Sequence, residues 1–274
     1  MTTPTLRPAL ISSADQLKAF IHTIPPPSTL YFDLEGYDLG RRGTISIITI
    51  LIHPENKVAL IDVRSLGNLA FITESSGGRC LKSIFEDPKT LKCAWDVRNI
   101  ADALWCLYWV GLEGVTDLQL LENASRSTDK TYLCELDAAV QRDLSLGFVT
   151  TNQWLQTKSD VKKLMKDHIF LARPMQTTTI KYCVNDVIHL PELRRVYLRC
   201  IEDEWLQKVM EETERRVTES HSPTYEPDSE SKSLGPWGSG PIKVVMSEEE
   251  LLERLEDERM DALEREEMME HNRI

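Results

Sequence analysis

Three strand-like runs, Leu30–Leu34, Thr44–His53 and Lys57–Val63, follow one another with only short connections, and this constrains the chain more than any other feature. Gly36 to Gly43 separates the first two, and Pro54-Glu55-Asn56 is a turn that makes the second and third a hairpin. A parallel pair needs a crossover of about a dozen residues or more, so all three runs are expected to be antiparallel neighbours. Upstream, Ser12-Ser13-Ala14-Asp15 before Leu17, Phe20 and Ile21 predicts a capped short helix, ended by Pro25-Pro26-Pro27.

Downstream the rhythm changes. Leu81–Glu86 reads as helix with Asp87-Pro88 as its stop, Leu91–Trp95 as a short strand, and Val97–Gly111 as helix with Leu104, Leu107 and Tyr108 on one side. Val115–Gln119 reads as another strand and Leu120 onward as helix. Residues 131–171 are expected to be mostly helical, and Thr177–Leu190 and Leu193–Val217 are the closing helices. Three antiparallel strands, then helix and strand in alternation, then helices, make an α/β pattern around a mixed sheet.

Charge divides the chain. The whole carries −12, but residues 218–274 hold 16 acidic and 6 basic side chains, leaving 28 acidic and 26 basic in residues 1–217. A near-neutral body can still meet a polyanion through a local basic patch or a metal ion, so the acidic total does not exclude nucleic acid. Residues 10–217 are read as one domain. Residues 218–241, rich in Ser, Pro, Glu and Gly, are read as a disordered linker, and 242–274 as an acidic tail, helical or disordered, open to a protein partner.

The six cysteines form no CxxC pair and read as free thiols in a reducing compartment. The longest apolar and hydroxyl stretch, Ile45–Ile52, is too short to cross a bilayer, and the N-terminus has no apolar leader. The expectation is an intracellular protein, in cytoplasm or nucleus, with no membrane partner. No histidine pair has zinc spacing, and no glycine-rich phosphate loop is present.

The chemistry is carried by acids. In Tyr31-Phe32-Asp33-Leu34-Glu35-Gly36, Asp33 and Glu35 are two apart at a strand end, so both side chains project from the same face. Two such acids repel unless a cation lies between them, and hard divalent ions such as Mg²⁺ favour oxygen ligands. In Tyr182-Cys183-Val184-Asn185-Asp186, Tyr182 and Asp186 are four apart on a helix, hence side by side. Each pair, taken alone, reads more readily as ordinary exposed polar residues.

Together they resemble a known family. Asp33-x-Glu35 after an apolar strand is similar to the first motif of the DEDD superfamily of 3′–5′ exonucleases, and Tyr182-x-x-x-Asp186 to its third motif in the tyrosine variant. Leu34-Glu35-Gly36, Leu39-Gly40-Arg41 and Gly43-Thr44-Ile45-Ser46 look like the subgroup of fungal 3′–5′ exonuclease-domain and Egalitarian-type proteins. Ribonuclease D and the Werner exonuclease domain are more distant relatives. The resemblance covers roughly residues 12–200 and implies a ribonuclease H-like fold, with helices on both faces of the sheet.

It also implies two divalent ions, Mg²⁺ or Mn²⁺, held by four carboxylates, and RNA or single-stranded DNA as the partner. Asp33, Glu35 and Asp186 would be ligands, and Tyr182 would position the attacking water, since a phenol is a poor base at neutral pH. The fourth carboxylate, of the second motif, falls on Ile100 in Trp95-Asp96-Val97-Arg98-Asn99-Ile100-Ala101-Asp102. Asp102 lies about 200° around the helix from that position. Asp96 is one turn before it, and two roles are open: a substitute metal ligand, or a helix cap paired with Arg98. Arg41 and Arg42 are candidates for phosphate contact, with a solvated turn as the alternative. The function implied is a 3′–5′ exonuclease, weakened by Ile100. The alternative is an RNA-binding adaptor of the same fold with impaired catalysis.

Overall fold

The computed structural model describes residues 8–164 and 168–239. It opens with a strand that the sequence does not announce, β1 (Ala9–Ile11). The first helix, α1 (Ala14–His22), is capped by Ser13: its hydroxyl accepts from the Gln16 amide while the Gln16 side chain accepts from the Ser13 amide. The expected trio follows as β2 (Thr29–Glu35), β3 (Ile47–His53) and β4 (Lys57–Asp62), with β3 antiparallel to both neighbours. Short helices α2 (Val63–Leu66), α3 (Leu69–Ile72) and α4 (Leu81–Phe85) lead into β5 (Lys92–Ala94). Then come α5 (Val97–Tyr108), β6 (Val115–Asp117) and α6 (Leu118–Ser125).

The sheet runs β1-β4-β3-β2-β5-β6. β1 is parallel to β4, and β5 and β6 are parallel to β2, so β3 alone runs against the rest. This is the ribonuclease H-like mixed sheet that the element order suggests. β3 is buried through six of its seven residues because the sheet is covered on both faces. Leu30, Phe32 and Leu34 of β2 pack with α1 to α5 on one face. Tyr31 and, on β3, Ile47 and Leu51 pack on the other. Period-2 alternation therefore sends Asp33 and Glu35 to that second face.

The second face is covered by helices from the C-terminal half. After β7 (Asp129–Tyr132) come α7 (Leu136–Asp143), α8 (Phe148–Leu164), α9 (Thr177–Ile188), α10 (Leu190–Leu198) and α11 (Asp203–Ser220). The helical reading of 131–171 holds for α7 and α8, but the segment starts in a strand. Among the described residues no helix is long and apolar enough to cross a membrane, and all six cysteines are free.

The reading of 218–241 as a disordered linker is corrected for its described part. α11 continues to Ser220, and the chain then folds back over α5. The Arg41 guanidinium donates to the carbonyls of Ser220, Ser222 and Pro223, and the Tyr225 hydroxyl donates to Asn99 at 2.7 Å. The last strand, β8 (Leu234–Ser239), pairs antiparallel with β7. Composition signals disorder where a segment cannot bury apolar surface of its own. Here polar groups of the body hold the segment, so the domain does not stop at Val217. Residues 242–274, read as the acidic tail, lie outside the described residues.

Candidate metal centre

Three of the anticipated carboxylates converge. Asp33 and Glu35 stand opposite Thr49 and Ile47 of β3, and α9 lies across this face of β2 and β3. One turn of α9 puts Tyr182 and Asp186 on its buried side. Asp33, Glu35 and Asp186 each offer an oxygen, and these atoms lie within 4.8 Å of one another. Glu35 and Asp186 are buried, and Asp33 is half-buried.

Gly36 keeps the rim closed. The carbonyl oxygen of Thr44 lies 1.7 Å from where a Cβ at Gly36 would stand, so only glycine lets the returning loop pass beside the strand end. Ser46 then donates its amide to the Glu35 carbonyl at 2.7 Å, which carries the register of β3 up to the acids. The loop before α9 is held by Arg173, whose guanidinium pairs with Asp62 at 2.5 Å, the residue that ends β4.

Burial sets the electrostatics, and the mutual repulsion of the acids adds to it. Burial, then the Asp186 charge, push the Asp33 carboxyl up to about 7. Burial, then Asp33 and Asp186, hold Glu35 well above the ordinary carboxylate range. Asp186 is also raised by burial, although the Lys158 ammonium opposes the rise. The Asp186 Oδ2 atom is buried and has no hydrogen-bond donor, and the Glu35 carboxyl lies within hydrogen-bonding reach of the Asp186 carboxyl, so the two acids need a proton or a cation between them. Burial, then the three carboxylates, push the Tyr182 phenol far above its usual range. That shift keeps the phenol protonated at neutral pH.

One residue at the centre has no counterpart in the sequence reading. Lys158 of α8 places its Nζ 2.5 Å from Asp186 Oδ1. Burial alone would lower its pKa, but Asp186, Asp33 and Glu35 outweigh burial and raise it. Its Nζ lies over the rings of Trp154, at 5.1 Å, and Tyr182, at 5.5 Å. Trp154 anchors α8 on α9 by donating its indole N–H to the Asn185 carbonyl at 3.3 Å. The signal in the sequence is only Trp154-x-x-x-Lys158, one helical turn; lysines 162 and 163 are indistinguishable from 158 until α8 is docked.

The remaining candidates do not enter the site. Asp96 caps α5, and its two oxygens accept from Arg98 Nε and a terminal Arg98 nitrogen, each at 2.7 Å. Burial would raise its pKa, but the Arg98 pairing holds it below the usual range. Of its two open roles, the structure gives it the cap, and it is outside the carboxylate cluster. Ile100 is buried with Phe32 and Leu34 in the core of the opposite face. Arg41 is spent on the fold: Nε donates to Asp102 Oδ1 at 2.8 Å, and its terminal nitrogens bind the carbonyls of 220–223. The phosphate-contact reading of Arg41 is thereby corrected. Arg42 stays exposed, paired with Glu226 at 2.9 Å.

The donor set is all hard oxygen, anionic and close, and one of its oxygens lacks a donor. It fits a hard divalent cation.

The chain has the fold seen in ribonuclease D and Rrp6. It superimposes on ribonuclease D of Trypanosoma brucei with a TM-score of 0.66 at 20% identity, covering 91% of this chain and 81% of that one. The catalytic core of RRP6 from the same organism gives 0.61 at 16% identity, over 85% of this chain and 58% of that one. Escherichia coli ribonuclease D gives 0.53 at 17% identity, over 79% and 51%. In sequence the chain is similar to the piRNA biogenesis protein EXD1 of Mus musculus, 26% identical over 183 residues. The match takes in 66% of this chain and 30% of that protein, so the chain spans under a third of its relative's length. No family model matches.

Proposed function

We propose that this domain is a divalent-metal-dependent 3′–5′ exonuclease acting on the 3′ end of single-stranded RNA. The observation that carries the reading is the convergence of Asp33, Glu35 and Asp186, with Tyr182 beside them, on one face of a ribonuclease D-like sheet. The choice of RNA is supported by a structural neighbour, Trypanosoma brucei ribonuclease D, being solved in complex with RNA U12.

Asp33, Glu35 and Asp186 would hold the ion, which, when bound, polarises the scissile phosphate and makes water a competent nucleophile at neutral pH. The chain's own groups do the rest. Loss of their protons turns the three acids into a trianionic cradle, so ion binding and deprotonation are coupled. Tyr182, kept neutral by its surroundings, orients the attacking water by hydrogen bonding and removes no proton. Lys158 and Tyr182 close the cradle from the helix side and limit access of bulk water.

A second reading, a 3′-end-binding module without turnover, is favoured by two features: the position that the resemblance gives to the fourth carboxylate is Ile100, buried in apolar core, and a lysine already pairs with Asp186. A 5′-labelled single strand of RNA incubated with Mn²⁺ or Mg²⁺ separates the readings. Stepwise shortening from the 3′ end by the wild type, absent in Asp33→Asn, is the expected result. Binding without shortening moves the assignment to the binding module, and no binding of RNA removes both.

A further inference from the structure

Resting on the metal-dependent reading, we infer that this centre takes one divalent ion where its superfamily pattern calls for two, because the Lys158 ammonium is a built-in second cation. The geometry is specific. Lys158 Nζ is 2.5 Å from Asp186 Oδ1, the two side chains are 10% and 7% exposed, and both charges lie inside the acidic face of the sheet. The other Asp186 oxygen, Oδ2, is buried without a donor. One carboxylate thus has two differently used oxygens, one on the ammonium and one left for an ion shared with Asp33 and Glu35.

Charge balance points the same way. Three ionised carboxylates and one ammonium leave a net charge of −2, which one dication neutralises. A second dication would leave an excess of +2 in a largely dehydrated site, and the acid that would offset part of it is replaced by Ile100, packed in apolar core. The ammonium is also confined. The Trp154 and Tyr182 rings lie 5.1 and 5.5 Å from it, and the Trp154 indole fixes α8 to α9. Farther along α8, Lys162 pairs with Asp137 at 3.4 Å, and both line a cavity together with Lys158 and Lys163. Lys158 is therefore a positioning residue for the ion and for the negative oxygens that come to it.

The test counts ions. Mn²⁺ binding to the full chain is measured by the electron paramagnetic resonance signal of free Mn²⁺, without RNA. Sites at the centre are those lost in Asp33→Asn, which removes the contribution of acidic residues elsewhere. Wild type and Lys158→Arg are expected to bind one such ion. Lys158→Met is expected to bind it about tenfold tighter or more, because a repelling unit charge a few ångströms away is gone. Thermal melting verifies that each variant is folded. Two carboxylate-dependent ions in the wild type, or unchanged affinity in Lys158→Met, overturn the inference and leave the metal-dependent reading standing. An ion bound only by Lys158→Met overturns the single-ion count, the ammonium then being the sole resident cation. No ion in either protein overturns the metal-dependent reading together with the inference.

Discussion

Arg41→Ala tests whether the C-terminal return is part of the domain. The Arg41–Asp102 pair is largely dry: the side chains are 17% and 0% exposed. Asp102 accepts from both the Arg41 backbone amide, at 2.6 Å, and Nε, at 2.8 Å. Removing the guanidinium leaves a buried carboxylate with the amide and a weak thiol contact from Cys106, and strips donors from three carbonyls of the return segment. Removing one partner of a buried pair costs about 3–5 kcal/mol. For a domain of this size each kcal/mol lowers Tm by roughly 2–4 °C, so the loss should fall at roughly 6–20 °C. Arg41→Lys should recover little, since an ammonium cannot reach a carboxylate and three carbonyls in fork geometry. The double variant Arg41→Met, Asp102→Asn should be less damaged than Arg41→Ala, because no unpaired charge remains. The assay is calorimetric melting, with limited proteolysis to locate cleavage in 221–239. A Tm within about 2 °C of wild type, with that segment still protected, would refute the structural role given to Arg41.

Other outcomes follow from the same geometry. Because the Asp33 carboxyl titrates near 7 in the fold, above its unfolded value of about 4, the folded chain holds the extra proton between those values. Stability in EDTA should therefore fall as pH rises through this window, and saturating Mn²⁺ should abolish that slope in urea melts. Asp62 has the opposite sign: burial would raise it, but Arg173 and Ser65 hold it below the usual range. Its contribution is present above the ordinary carboxylate pKa and lost as pH falls through the folded one, so Asp62→Asn should flatten the acid limb of the stability curve. Gly36→Ala, which drives a Cβ into the Thr44 carbonyl, should cost about 1–3 kcal/mol and weaken Mn²⁺ binding by displacing Glu35; unchanged Mn²⁺ affinity would contradict the role given to this turn. Ile100→Asp should cost about 3–5 kcal/mol in metal-free buffer, through lost packing and an unpaired buried acid, measurable by chemical denaturation.

Much of this fold is written locally. The β2–β3–β4 meander is legible because its connections are too short for any other pairing, and the two motifs are legible because strand and helix periods alone put Asp33 beside Glu35 and Tyr182 beside Asp186. The sequence also shows that position 100 carries no acid. It leaves open what takes the acid's place and what Asp96 and Arg41 do, and it misreads 218–239 as disordered, because these outcomes depend on how the chain packs. Asp96 is claimed by Arg98 once α5 starts where it does, and Arg41 by Asp102 and by carbonyls about 180 residues away. Lys158 shows the same division. By sequence it is one of several lysines on an unremarkable polar helix. Docking α8 against α9 through Trp154 puts its ammonium among three acids, two of them buried, where the loss of solvent strengthens that single charge.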